Sequence, residues 1–236
     1  MLRARYNVTV TNTTTGCTTS DSYVLTGPGG CDVCPTIPNV SVSPSPTCVN
    51  ATFTLTSTGL TNMGNTYGII FKYFAAATAT PYTGGTVLAT VPNGSLGAGG
   101  TSAMATASLP TTGTYFIYAI LTPTPTDPAC RPSATTTLVV NALPTPGTTV
   151  AETSGTTNND GIICVGASAT ITATGGTSYL WSTLATTAAI TVTPTATTTY
   201  TVTVTNINGC SATTTRVITV NPLPTLFTVT GGPRGG

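Results

Sequence analysis

Along Tyr200–Thr205 large apolar residues alternate with threonine (Tyr-Thr-Val-Thr-Val-Thr), and a second β-branched run, Thr213 to Val220, follows the dipeptide Asn208-Gly209. Alternation with period two sends one set of side chains to each face of a strand. Asn-Gly between two such runs is the strongest short-range signal for a tight antiparallel turn, so the stretch predicts a hairpin that Pro222 and Pro224 bring to a stop. The same pattern occurs twice more. Tyr6 to Asn12 followed by Gly16-Cys17 repeats its first half, and Cys130 through Ala134-Thr-Thr-Thr-Leu-Val-Val-Asn-Ala-Leu-Pro144 repeats its second half. Cys130 to Cys210 and Pro144 to Pro224 both span 80 residues. A fixed spacing of that size predicts repeated β modules.

The rest of the chain follows the same grammar. Residues 1–34 predict the closing strands of a partial repeat, at Tyr6–Thr11 and Ser22–Thr26, followed by a Gly/Pro linker through Cys31 and Cys34. Residues 35–143 predict a complete module with strands at 39–43, 51–57, 67–74, 86–91, 101–109, 114–121 and 134–140. Phe53 and Leu55 alternate there with Thr52, Thr54 and Thr56, so one face turns inward and the other meets water. Seven short strands separated by turn signals predict two antiparallel sheets packed face to face. Residues 144–221 predict a second, shorter copy. Residues 222–236 carry Leu226-Phe-Thr-Val-Thr230, the first strand of a following repeat or a strand-exchange tail. The fold class expected is all-β: tandem sandwiches with a partial repeat at each end. Such a chain is either a window of a longer array or a subunit whose two part-modules complete each other head to tail by strand addition, which makes an open filament.

Composition narrows the function. Charged residues are 5% of the chain, the net charge is +1, and there is no histidine, while threonine supplies about a quarter of the 236 residues. Arg3, Arg5, Lys72, Arg131, Arg216 and Arg234 are scattered, and only the first two are close together, so no track for a nucleic-acid backbone is present. Apolar residues reach 39% and alternate with threonine, whose branched Cβ suits a pleated surface, so the chain reads as folded. Its outer surface is neutral and hydroxyl-rich and lacks the charge repulsion that keeps most soluble proteins apart, which favours self-association or glycosylation. Sequons stand at Asn7, Asn12, Asn39, Asn50 and Asn93, as chance supplies in so threonine-rich a chain.

Seven cysteines in a Thr/Gly/Pro-rich β chain read as a disulfide framework and place the protein outside the reducing cytosol. By position in the repeat, Cys48 pairs with Cys130 and Cys164 with Cys210. Cys31 and Cys34 form a small local disulfide, with a bond from Cys17 to either of them as the rival. Otherwise Cys17, the counterpart of Cys130 and Cys210, finds its partner upstream or in another subunit. A redox or zinc role for Cys31-x-x-Cys34 lacks the βαβ context, the histidines or the second cysteine pair it needs. Met1-Leu-Arg-Ala-Arg5 leads straight into strand-like sequence with no secretory h-region, so the chain is expected to be an interior piece of an exported precursor. The longest apolar run, Gly68 to Ala77, is broken by Lys72 and is too short to span a bilayer, so no membrane insertion is expected.

Catalytic groups are scarce. Without histidine no Ser-His or Cys-His relay forms, and Asp21, Asp32, Asp127, Glu152 and Asp160 are too dispersed for a carboxylate pair, so no enzyme activity is expected. Asn158-Asn-Asp160-Gly161 offers oxygen ligands but a single carboxylate, and reads as a loop rather than a calcium site. No metal or cofactor is expected. Trp181 is a core residue or else a sugar-stacking platform; Tyr6, Tyr115 and Tyr200 each open the penultimate strand of their module and read as structural; Tyr73 and Tyr82 are the candidates for exposed aromatics.

Ala173-Thr-Gly-Gly-Thr-Ser-Tyr-Leu-Trp-Ser182, Ile190-Thr-Val-Thr-Pro194, Thr198-Thr-Tyr-Thr-Val-Thr-Val-Thr205, Asn208-Gly-Cys210 and Val220-Asn-Pro-Leu-Pro224 resemble the tandem immunoglobulin-like repeats of very large Bacteroidetes cell-surface and secreted proteins, including gliding-associated adhesins exported by the type IX route. The likeness covers about the last 80 residues and is thinner in the longer module, which keeps Gly113-Thr-Tyr115 and Asn141-Ala-Leu-Pro144 but lacks the Leu-Trp-Ser element and the Asn-Gly-Cys turn. The resemblance implies an immunoglobulin-like fold, extracellular display, and adhesive or spacer roles without catalysis. The function expected is a structural or adhesive repeat protein of a surface fibre or filament, with its neighbours and surface glycans as partners. A carbohydrate-binding or spacer module of a secreted multidomain enzyme is the rival, and requires coplanar exposed aromatics on one sheet face.

Overall fold

The computed structural model describes residues 4–11, 18–25, 34–155, 157 and 159–225. Its strands are β1 (Ala4–Thr11), β2 (Thr18–Leu25), β3 (Asn39–Ser43), β4 (Thr47–Cys48), β5 (Phe53–Thr58), β6 (Gly68–Phe74), β7 (Thr86–Val91), β8 (Ser102–Ala107) and β9 (Gly113–Thr122), followed by β10 (Ser133–Asn141), β11 (Gly147–Glu152), β12 (Ile162–Cys164), β13 (Ala169–Thr174), β14 (Ser178–Trp181), β15 (Ala189–Val192), β16 (Thr198–Thr205) and β17 (Ser211–Asn221). Helical structure among the described residues is confined to three short 3-10 turns. The strand expected at 226–230 lies outside them.

The architecture is all-β and immunoglobulin-like. One pair of sheets is β3-β5-β8 and β4-β10-β9-β6-β7; the other is β11-β13-β15 and β12-β17-β16-β14. Replacing β3, β4, β5, β6, β8, β9 and β10 by β11, β12, β13, β14, β15, β16 and β17 in turn converts one order into the other, with β7 as the sole addition. The strand order of the longer copy, open from sequence, is thereby fixed. β1 and β2 form a separate hairpin, Ala4 opposite Leu25 and Thr11 opposite Thr18. Compactness divides the chain into two units, one of Met1–Pro44, Thr52–Ala107 and Thr114–Leu138, the other of Ser45–Ala51, Ser108–Gly113 and Val139–Gly236.

Alternation decides which side chains go inside. Phe53, Leu55 and Ser57 of β5 are buried while Thr54 and Thr56 are half-exposed, and Ser57 Oγ satisfies itself by donating to Asn39 O at 2.7 Å. In β16 Tyr200, Val202 and Val204 point inward and join Val150, Ile163, Ile171, Trp181, Ile190 and Ile218 in one core. β9 departs from alternation, with every residue from Ile117 to Leu121 buried. The connection between β6 and β7 accounts for this. Tyr118 Oη accepts from Thr78 N (2.9 Å) and donates to Thr78 O (3.0 Å), and Tyr82 Oη accepts from Leu121 N (3.2 Å), so the connection covers the outer face of the strand.

Two short strands escaped the sequence pattern. β4 and β12 are two and three residues long, and each pairs in parallel with the end of a long strand: Cys48 opposite Asn141 of β10, Cys164 opposite Asn221 of β17. Segments this short have no readable period.

Candidate functional site

The hairpin of β16 and β17 forms as expected, with Thr205 opposite Ser211, but its turn is longer than two residues. Gly209 N donates to Asn206 O (3.0 Å) and Asn206 N to Cys210 O (2.9 Å), so Ile207 and Asn208 are the central pair. Gly209 follows at φ 78°, a conformation that favours glycine. The Asn206 side chain organises the turn. Its Oδ1 accepts from Asn208 N (3.0 Å) and Cys210 N (3.1 Å), and its Nδ2 donates to Ala142 O at 2.9 Å. Cys210, with no exposed surface, is disulfide-bonded to Cys48, 162 residues upstream, and its Sγ lies 4.0 Å from Asn141 O. Covalent bond and hydrogen bonds together fasten this turn onto the segment where β4 and the end of β10 run side by side.

This arrangement corrects the pairing expected from the repeat. Cys164 faces Asn221, the last residue of β17, whereas Cys210 immediately precedes its first, Ser211. The 11 residues of that strand separate the two positions by about 36 Å, and a disulfide requires Cα atoms within about 7 Å. The same register argument separates Cys48, opposite Asn141, from Cys130, which precedes β10. The bonds formed are Cys48–Cys210 and Cys34–Cys130, and Cys164 is a free, half-buried thiol among the described residues. Cys34 is thus committed to Cys130 rather than to Cys31. Cys31 and Cys17 lie outside the described residues. Sequence reasoning also missed Asn206 and Asn141. The available signal was an asparagine at the end of a strand in each copy, in Thr11-Asn12 and Thr205-Asn206 and again in Asn141-Ala-Leu-Pro144 and Asn221-Pro-Leu-Pro224.

The aromatic candidates are engaged elsewhere. Trp181 is 1% exposed in the core, with Nε1 donating to Thr187 O at 2.9 Å, so it offers no stacking face. Tyr73 is half-buried and meets Tyr115 edge-to-face (centroids 5.2 Å apart, planes at 88°). Tyr82 is half-buried; its hydroxyl donates to Pro132 O (2.7 Å) and accepts from Leu121 N, and Arg131 sits over its ring at 6.0 Å. Burial raises the Tyr82 phenol pKa, opposed by the Leu121 amide and Arg131 and reinforced by Tyr67. Tyr115 and Tyr200 are buried, the latter with its phenol pKa raised by burial alone. The Tyr6 side chain lies outside the described set.

Carboxylates bind the backbone amides of the 159–161 turn. Glu152 Oε2 accepts from Asn159 N (2.7 Å) and Oε1 from Gly161 N (2.6 Å), while Asp160 Oδ1 accepts from Ile162 N (2.8 Å). Gly161 stands at φ 85°, and a Cβ there would lie 2.9 Å from Val217 O. Among the described residues no three His, Cys, Asp or Glu side chains cluster as metal ligands. Arg216 Nη2 donates to Asn159 O (3.0 Å), and its buried Nε has no partner among the described residues. With Thr148, Thr149, Thr170 and Thr172 it lines an open cleft of ≈ 360 Å³. No described helix is long and apolar enough to cross a membrane.

No family model matches the chain, and no curated protein matches it. Solved structures give remote likenesses. The fibronectin(III)-like modules of Clostridium thermocellum CbhA are 14% identical over 78% of this chain and 95% of theirs, with a TM-score of 0.32. A marsupial T cell receptor is 13% identical over 80% of this chain and 74% of its own, with a TM-score of 0.34. A 1.5-MDa bacterial ice-binding adhesin is 13% identical over 78% of this chain and 64% of its own, with a TM-score of 0.32. At such TM-scores the likenesses carry no argument about this chain.

Proposed function

We propose that the chain is a non-enzymatic, extracellular structural or adhesive array of immunoglobulin-like modules, part of a cell-surface fibre of the Bacteroidetes type. Its complete modules are residues 35–143 and 144–221, joined head to tail with further modules or copies of itself and presenting a hydroxyl-rich surface to surface glycans. The observation that carries this reading is the Cys48–Cys210 bond, which ties a strand-end of one repeat to the hairpin turn of the next across 162 residues of sequence. Tension applied to the termini passes through that bond, so the residues inside the loop are shielded from extension. Sheets of antiparallel hairpins supply the remaining resistance, and disulfides suit an oxidising exterior.

Single-molecule stretching tests it. The oxidised chain is expected to withhold about 550 Å of contour length, 162 residues at about 3.4 Å each, which reductant releases. Extension to the same full length with and without reductant overturns the mechanical role.

A further inference from the structure

Among the described residues Arg216 of β17 is a cation without a counter-ion. Its Nη2 donates to Asn159 O (3.0 Å), and its Nε is buried with no partner there. A Cβ at Gly161 would lie 3.2 Å from that Nη2 and 3.4 Å from the Nε, so the guanidinium packs against the backbone of the 159–161 turn. The two carboxylates of this region are spent on amides: Glu152 holds Asn159 N and Gly161 N, and Asp160 Oδ1 accepts from Ile162 N. The fold itself does not call for a charge at this place. Counted back from the asparagine that ends each strand, Asn221 in β17 and Asn141 in β10, the position of Arg216 is taken in β10 by Thr136.

The wall beside Arg216 is made of hydroxyls. Thr149 of β11 lies opposite Thr172 of β13, and both line the cleft with Thr148 and Thr170. Thr170 Oγ1 is shared with Thr191 Oγ1 (3.0 Å), whereas the hydroxyls of Thr148, Thr149 and Thr172 are bonded to no described residue. A hydroxyl both donates and accepts, as the hydroxyls of a sugar ring require of their partners. The ≈ 360 Å³ of the cleft lies within the range of small-molecule sites. One guanidinium balances one negative charge, which suits a carboxylate better than a phosphate monoester, whose charge exceeds one. Its planar fork also matches the two oxygens of a carboxylate.

We infer that this cleft binds the carboxylate of an acidic sugar, with Arg216 as the anion receptor and the threonines of β11 and β13 as partners of the ring hydroxyls. The inference rests on the glycan-facing part of the reading above and names its site and the class of sugar.

Calorimetric titration of the full-length chain with an oligogalacturonate, with its carboxyl-reduced neutral form and with a neutral oligomer bearing sulfate esters tests it. Binding of the oligogalacturonate alone is expected, weakening as salt rises. Arg216→Gln is expected to lose about 10- to 100-fold in affinity, and Arg216→Lys, which keeps the charge without the fork, to fall between. Thr172→Val, which keeps the shape of the wall, is expected to lose about two- to tenfold. Native Trp181 emission in each variant shows that the fold is kept. No binding of the oligogalacturonate, equal binding of the reduced or the sulfated oligomer, or full affinity in Arg216→Gln overturns the inference. Binding of neutral oligomers alone strikes the acidic-sugar site and leaves the glycan reading standing, and the stretching experiment judges the array separately.

Discussion

Cys48 and Cys164 occupy the same place in two copies of one sandwich, each closing a short parallel strand opposite the asparagine that ends the last strand, Asn141 for one and Asn221 for the other. One carries a disulfide and the other a thiol. The partner of Cys48 is Cys210, in the turn just before β17.

Asn206 holds that turn. Asn206→Ala removes the acceptor for two amides and the donor to Ala142 O, and is expected to destabilise by about 1–3 kcal/mol. Asn206→Asp keeps the acceptor and loses only the donor, so it falls between. Urea denaturation of the three proteins in the oxidised state checks the ranking.

Glu152 closes the 159–161 turn by accepting from Asn159 N and Gly161 N. Glu152→Gln keeps one carbonyl acceptor but sets an NH2 donor against the other amide, so one of the two bonds is lost, at a cost of about 1–3 kcal/mol. Hydrogen exchange is expected to quicken at Asn159 and Gly161 before it does in β16 or β17. Equal exchange in both proteins would show that backbone alone sets the loop.

Trp181 is the single tryptophan and sits in the core with Val150, Ile163, Ile171, Val202 and Ile218. Native emission is expected to be blue-shifted and to move red on unfolding, which makes it a reporter for that core alone. Trp181→Ala is expected to cost about 3–5 kcal/mol. Loss of soluble glycan binding in Trp181→Phe, with stability retained, would argue against its purely structural role.

Tyr82 and Tyr200 have phenol pKa values raised above the ordinary 10.0, both chiefly by burial. Freed by unfolding they ionise near that value, so above it the unfolded chain binds fewer protons than the folded one and stability falls. Denaturation midpoints are expected to be flat below about pH 9.5 and to decline as the pH rises past about 10. Tyr82→Phe starts lower, having lost the bonds to Pro132 O and Leu121 N, and declines less steeply.

Local rules made much of the fold legible. Alternation of Val, Ile, Phe and Leu with Thr located β3 and β7 to the residue and most other strands within about two, because a half-buried strand imposes period two on its own sequence. The strand orders of the two pairs of sheets correspond, in line with the 80-residue spacing. β4 and β12 left no trace, being too short for a period, and with them went the pairing of the cysteines. From sequence, Cys48 and Cys130 look like partners because both stand just before strands of one module. The register places them at opposite ends of β10, a separation along a strand that no count of intervening residues reveals. Composition and pattern therefore determined the all-β class and the inward residues, each a property of a few neighbouring positions. Which cysteines meet, which tyrosines are spent on backbone groups, and that Asn206 and Glu152 are anchors were decided only when distant segments were brought within bonding distance.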